Sequence, residues 1–119
     1  MRVKAIDFVV YEVDDVEQAV SFYRDTLGMD FAFNERSSRF AEFDTPPVAF
    51  VLRDKPRLAG TPAVALAVDD VRAAVKELRA KGVKILVEPY TTTVCRVAFI
   101  EAPFGNRVCL HQRKDGTAG

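Results

Sequence analysis

EVDDVEQAVSFYRDTLGM, from Glu12 to Met29, is echoed by AVDDVRAAVKELRAKGV, from Ala67 to Val83. A repeat with a period near half the chain means two copies of one supersecondary unit. In each copy the hydrophobic period changes at the Asp-Asp pair. Val9, Tyr11 and Val13 alternate with Phe8, Val10 and Glu12 as in a strand, whereas Val16, Val20, Tyr23 and Leu27 recur at helical spacing. The second copy repeats the plan, with Val64, Leu66 and Val68 and then Val71, Val75 and Leu78. Asp14 or Asp15, and Asp69 or Asp70, stand where a short carboxylate accepts a hydrogen bond from an otherwise unpaired backbone N–H at a helix start. Capping accounts for these pairs better than a catalytic or metal role. Gly28 and Gly82 mark the helix ends, where a left-handed residue is needed.

Three further strands follow each helix. They are predicted over Met29 to Asn34, Ser38 to Asp44 and Pro47 to Arg53, then over Lys84 to Glu88, Thr93 to Glu101 and Asn106 to Gln112. Turn-rich breaks separate them, among them Asn34 to Ser37 and Ala102 to Asn106. The fold class is therefore α+β, with two tandem βαβββ modules in a single domain spanning 1–119. Module one covers 1–54, a Pro- and Gly-containing linker 55–61, and module two 62–113; the polar tail 114–119 is expected to fray.

Composition narrows the function classes. With 119 residues, 49% of them hydrophobic, and seventeen charges of each sign, the chain has material for a core and no basic field for nucleic acid. No apolar stretch approaches the roughly 20 residues of a membrane span, and MRVKAIDFVV runs directly into a strand pattern without a cleavage signal. A cytoplasmic location is expected. Cys95 and Cys109 lack CxxC spacing and read as apolar packing residues rather than a disulfide or zinc site.

The duplicated βαβββ unit, the strand ending in VDD, the helix carrying SFYRDTLGM and the hairpin APFGNRVCLHQ together resemble the vicinal oxygen chelate superfamily, over Val3 to Gln112. That superfamily includes glyoxalase I, extradiol dioxygenases, fosfomycin-resistance enzymes and bleomycin-resistance proteins. The resemblance implies that each module curls into a half-open mixed sheet with its helix outside and a cleft on the concave face, commonly completed in a homodimer. It also implies four places for the His and Glu ligands of a divalent metal. Phe8, Val51, Ala63 and Cys109 occupy those places here. One thiol without imidazole or carboxylate partners makes no such metal site, so no metal, no cofactor and no catalytic residue is expected.

The resemblance is then to the metal-free, bleomycin-resistance-like branch. It implies a protein that captures a partly apolar or aromatic ligand, an antibiotic or a metabolite, for resistance by sequestration, for storage or for delivery to a biosynthetic enzyme. Phe8, Val10, Val51, Ala63, Ala65 and Cys109 form the expected apolar surface, Ala67 beside them, while Phe40, Tyr90 and Phe99 offer rings for stacking unless they only fill the core. His111, the sole histidine, shares a face with Cys109 by alternation, although a lone histidine near a strand end is usually a solvated or capped group. Glu12, Glu42, Arg96 and Arg107 are the polar candidates, and Cys109 is a nucleophile only if Arg107 or His111 lowers its pKa. Two alternatives stand beside ligand capture. One is an enzyme of the same fold with an absent or relocated metal site; the other is a scaffold whose cleft is filled by its own side chains.

Overall fold

Asp15 and Asp70 open the two helices by the same device. The Asp15 carboxylate accepts the Gln18 N–H at 3.0 Å and the Asp70 carboxylate the Ala73 N–H at 3.1 Å, each residue being in extended backbone just before the first helical turn. The computed structural model describes residues 1–35, 39–54 and 63–119. The predicted linker 55–61 and positions 36 and 37 of the predicted Asn34 to Ser37 turn lie outside the described residues, while Asn34 and Glu35 end a strand.

The described elements are β1 (Val3–Val13), α1 (Val16–Ser21), a π-helical turn (Phe22–Thr26), β2 (Phe31–Glu35), β3 (Phe40–Phe43), β4 (Ala49–Asp54), β5 (Ala63–Val68), α2 (Val71–Ala80), β6 (Lys84–Thr91), β7 (Cys95–Glu101) and β8 (Arg107–Arg113). Strand, helix and three strands thus occur twice, in an α+β fold whose parallel and antiparallel pairings are mixed. The chain packs as two units, Phe8–Pro62 and Met1–Asp7 with Ala63–Gly119.

In the unit Phe8–Pro62 the strand order is β2-β3-β4-β1, with β1 and β4 parallel and the other neighbours antiparallel. Pleating sends alternate side chains to opposite faces. Ala41, Phe43, Phe50 and Leu52 meet Val16, Ala19, Val20 and Tyr23 from the helix, along with Val13 of β1. Leu52 is fully buried, which contributes roughly 1.5–3 kcal/mol on its own. Leu27, expected on this apolar stripe, is instead exposed. The turn at Phe22–Thr26 widens to i→i+5 bonding, Leu27 N–H donating to Phe22 O at 3.1 Å. One extra residue per turn rotates Leu27 off the stripe, and Met29 packs against the cluster.

In the other unit the order is β5-β8-β7-β6, again with the first and last strands of the repeat, β5 and β8, paired in parallel. Val71, Ala74, Val75 and Leu78 of α2 pack on Val68, Ala98, Ile100 and Leu110. Gln112 adds a second cap, its side-chain oxygen accepting the Val71 N–H at 3.0 Å. The Ala102 to Asn106 break turns through Phe104 and Gly105, both with positive φ.

The sequence-based boundary put residues 1–7 in module one, but they pack with Ala63–Gly119. Polar contacts hold them there: the Met1 ammonium to Glu77 at 2.6 Å, Lys4 to Asp69 at 2.9 Å and Asp7 to His111 at 2.5 Å. The tail expected to fray is hydrogen-bonded, Gly119 N–H donating to the Asp7 carboxylate at 2.7 Å. Among the described residues no helix is long and apolar enough to cross a membrane.

The two Asp pairs give a direct test of the capping account. Asp15→Ala and Asp70→Ala are each expected to cost about 1 kcal/mol in urea unfolding. Asp69→Ala removes only an exposed ion pair to Lys4 and is expected to cost no more than about 0.5 kcal/mol.

Candidate functional site

With α1 and α2 each taking one sheet face, the opposite face of each sheet carries the candidate residues. In the unit Phe8–Pro62 the register sets Phe8 beside Ala49, Val10 beside Val51 and Glu12 beside Arg53. It also sets Val51 beside Glu42 and Arg53 beside Phe40. Val10 and Val51 are buried, and Phe8, Glu12, Phe40 and Glu42 are half-buried. Phe40 packs edge-on against the exposed Phe33, ring centres 5.5 Å apart. The expected set Phe8, Val10, Phe40 and Val51 therefore does share one face, and Phe33 joins it.

In the other unit Ala63, Ala65 and Ala67 pair with Arg107, Cys109 and His111, and Cys109 and His111 pair in turn with Phe99 and Val97. Tyr90 stands beside Val97 on β6. All of Ala63, Ala65, Ala67, Phe99, Arg107, Cys109 and His111 are buried. The Arg107 guanidinium lies over the Phe99 ring at 5.8 Å, a cation–π contact that offsets part of the cost of burying its charge. Arg96 departs from expectation. It has the parity of Ala98 and Ile100, which pack on α2, and it pairs with Gln112 at the start of that helix, so it faces away from the candidate site.

His111 also departs from the usual lone histidine. Its side chain is 7% exposed and its Nδ1 lies 2.5 Å from Oδ2 of Asp7, whose side chain is fully buried. Oδ1 of Asp7 accepts the Gly119 N–H at 2.7 Å and lies 3.5 Å from the Arg113 guanidinium. A buried carboxylate with this set of partners holds the imidazole in one orientation. Asp7 was missed in the sequence reading; its only signal is a charged residue inside the apolar run AIDFVV.

The thiols differ. Cys109 is buried, its sulfur 3.7 Å from the Leu110 carbonyl, whereas Cys95 is half-buried rather than a core residue. Burial pushes the Cys95 thiol above its ordinary pKa, against a hydrogen bond with Thr92. That direction disfavours a reactive thiolate at Cys95.

Phe8 and Val51 in one unit, and Ala63 and Cys109 in the other, which the resemblance puts at ligand places, offer one thiol and no imidazole or carboxylate, and so do not fit a divalent ion. Among the described residues no group of three His, Cys, Asp or Glu side chains is placed to hold one. The lone imidazole is engaged with Asp7 through Nδ1.

Comparison with known proteins agrees with this fold. Residues 5–110 match the family model described as Glyoxalase/Bleomycin resistance protein/Dioxygenase superfamily. A protein of Arabidopsis thaliana described as probable lactoylglutathione lyase, chloroplastic, is 31% identical over 121 residues, covering 88% of this chain. The chain spans only 35% of that relative's length. Among solved structures, a glyoxalase/bleomycin resistance protein/dioxygenase superfamily member from Vibrio splendidus 12B01 has a TM-score of 0.65 at 17% identity, covering 89% of this chain and 96% of its own. A variant of Streptomyces coelicolor methylmalonyl-CoA epimerase in complex with 2-nitronate-propionyl-CoA has a TM-score of 0.72 at 22% identity, covering 99% of this chain and 100% of its own. At these identities the two structures show a shared fold.

Removing Asp7 leaves buried polar partners uncompensated. Asp7→Ala is expected to destabilise the protein by about 3 kcal/mol or more. In a double-mutant cycle by urea unfolding, Asp7→Asn and His111→Gln are expected to couple by roughly 1–3 kcal/mol; additive costs would show that the contact contributes nothing.

Proposed function

The chain belongs to the glyoxalase/bleomycin resistance protein/dioxygenase superfamily, and from that premise we propose that it is a metal-independent binding protein that holds a small, partly apolar or aromatic molecule against the sheet faces opposite its helices. The observation that carries this reading is the donor set. At the four places where the superfamily presents metal ligands the chain has three apolar side chains and one thiol, Phe8, Val51, Ala63 and Cys109. The half-buried Phe40 supplies aromatic surface on one of these faces, while on the other Arg107 lies over the buried Phe99. Apolar surface interrupted by a few polar groups is the usual make-up of a small-molecule site.

The reading includes a homodimer in a reducing, cytoplasmic setting. Both cysteines are free thiols, as such a compartment keeps them. Phe31 and Phe33 are exposed on β2, the last strand in its unit's order, where a second copy would cover apolar surface.

A second reading, turnover without the standard metal site, has one observation in its favour, the buried Asp7–His111 pair. An imidazole oriented by a carboxylate through Nδ1 is the arrangement of a general base. The name of the Arabidopsis relative makes lactoylglutathione the first substrate to assay.

A thermal-shift screen of antibiotics and aromatic metabolites with EDTA present tests the leading reading. A ligand at about 100 times its Kd is expected to add about 2.7 kcal/mol to the stability of the native state. Phe40→Ala is expected to weaken any hit by about tenfold, the effect of losing one stacked ring. Hits that appear only after a divalent metal is restored would contradict the proposal.

A further inference from the structure

The Asp7 carboxylate is fully buried, yet one of the groups that bonds it is the N–H of the exposed Gly119. We propose that residues 114–119 form a strap that latches onto Asp7 and, by opening locally, controls access to the Asp7–His111 pair. The strap is built from short-range turns. Gly116 N–H donates to Arg113 O at 3.0 Å, and the chain reverses at Gly116, whose φ of +82° disfavours other residues. The Asp115 carboxylate accepts the backbone N–H of Thr117 at 2.9 Å and its hydroxyl at 2.7 Å. These bonds hold the Asp115 carboxyl below its ordinary range.

Arg113 joins the strap to the buried pair. Its Nη1 donates to Thr117 Oγ1 at 3.4 Å and to the Gly119 carbonyl at 3.2 Å, while its Nη2 lies 3.5 Å from Asp7 Oδ1. The end of the strap rests on β1, where a Cβ built at Gly119 would meet the Ala5 side chain at 3.7 Å. At the other end Lys114 N–H donates to Val94 O at 2.8 Å.

The energetics of the two partners differ. Every strap residue from 114 to 119 is exposed, so the strap is held by polar bonds rather than by apolar burial. Segments held in that way open at far lower free energy than the core. Asp7 and His111 are buried and mutually bonded, and they stay in place when the strap leaves, with water replacing the Gly119 N–H on Oδ1. The strap is therefore a low-stability partner of a high-stability pair, bonded to the Asp7 oxygen that does not face His111.

Because His111 is the only histidine, its acylation by diethylpyrocarbonate is a single-site readout of access. In the full chain His111 is expected to react far more slowly than free imidazole. Gly119→Pro, which lacks the N–H on Asp7, and Arg113→Ala are each expected to raise the rate by about tenfold or more, as for losing a hydrogen bond to a charged group. Asp70→Ala is the control, since it removes a cap bonded to Ala73 and not to the strap, and is expected to leave the rate within about twofold. Unchanged rates in both strap variants would overturn the proposal, and so would an equal rise in Asp70→Ala, which would show that access follows global unfolding.

Discussion

Everything in this molecule is organised by the parallel pairing of the first and last strands of each repeat. Val10 is set beside Val51 in one unit and Ala65 beside Cys109 in the other. Two strands that run in parallel cannot be joined by a tight turn, so the helix and two intervening strands are obligatory connections. Once the pairs are in register, the period of two along each strand commits every side chain to one of two faces. The helix claims one face through Leu52 and Phe43, or through Leu110 and Ala98. What remains is the face that carries the candidate residues.

On that remaining face the side chains are mainly apolar, and two of the polar exceptions are held by neighbours. Arg107 stacks on Phe99, and His111 is fixed by Asp7. A lone buried carboxylate would be protonated or displaced at considerable cost, whereas one bonded to an imidazole and a backbone N–H is stable in place. Such a site can orient a small molecule by a few contacts. Among the described residues its His, Cys, Asp and Glu side chains form no group of three placed to hold a metal ion.

Much of this was legible because the signals are local. Carboxylates before helical stripes located both caps at Asp15 and Asp70, and alternation separated Val9, Tyr11 and Val13 from Phe8, Val10 and Glu12. All six later strands fall where β-rich runs end in turns, within a few residues at their ends. The failures have non-local or subtle causes. Asp7 and His111 are 104 residues apart, and no pattern along the chain links them. Leu27 left its stripe because of one widened turn, which leaves no mark in composition. Arg96 faces away from the candidate residues because, on β7, it shares the parity of Ala98 and Ile100, which pack on α2. The polar tail looked free because its partners, Asp7 and Arg113, lie on separate strands.

The central claim concerns what the face opposite the helices can bind, and titration calorimetry with divalent ions addresses it most directly. The purified chain, stripped with EDTA and titrated with Zn, Ni and Mn, is expected to show no stoichiometric site with a Kd below about 10 μM, as befits a ligand set reduced to one thiol. One tightly held ion per chain, displaced in competition by a molecule with two neighbouring oxygens, would contradict the account.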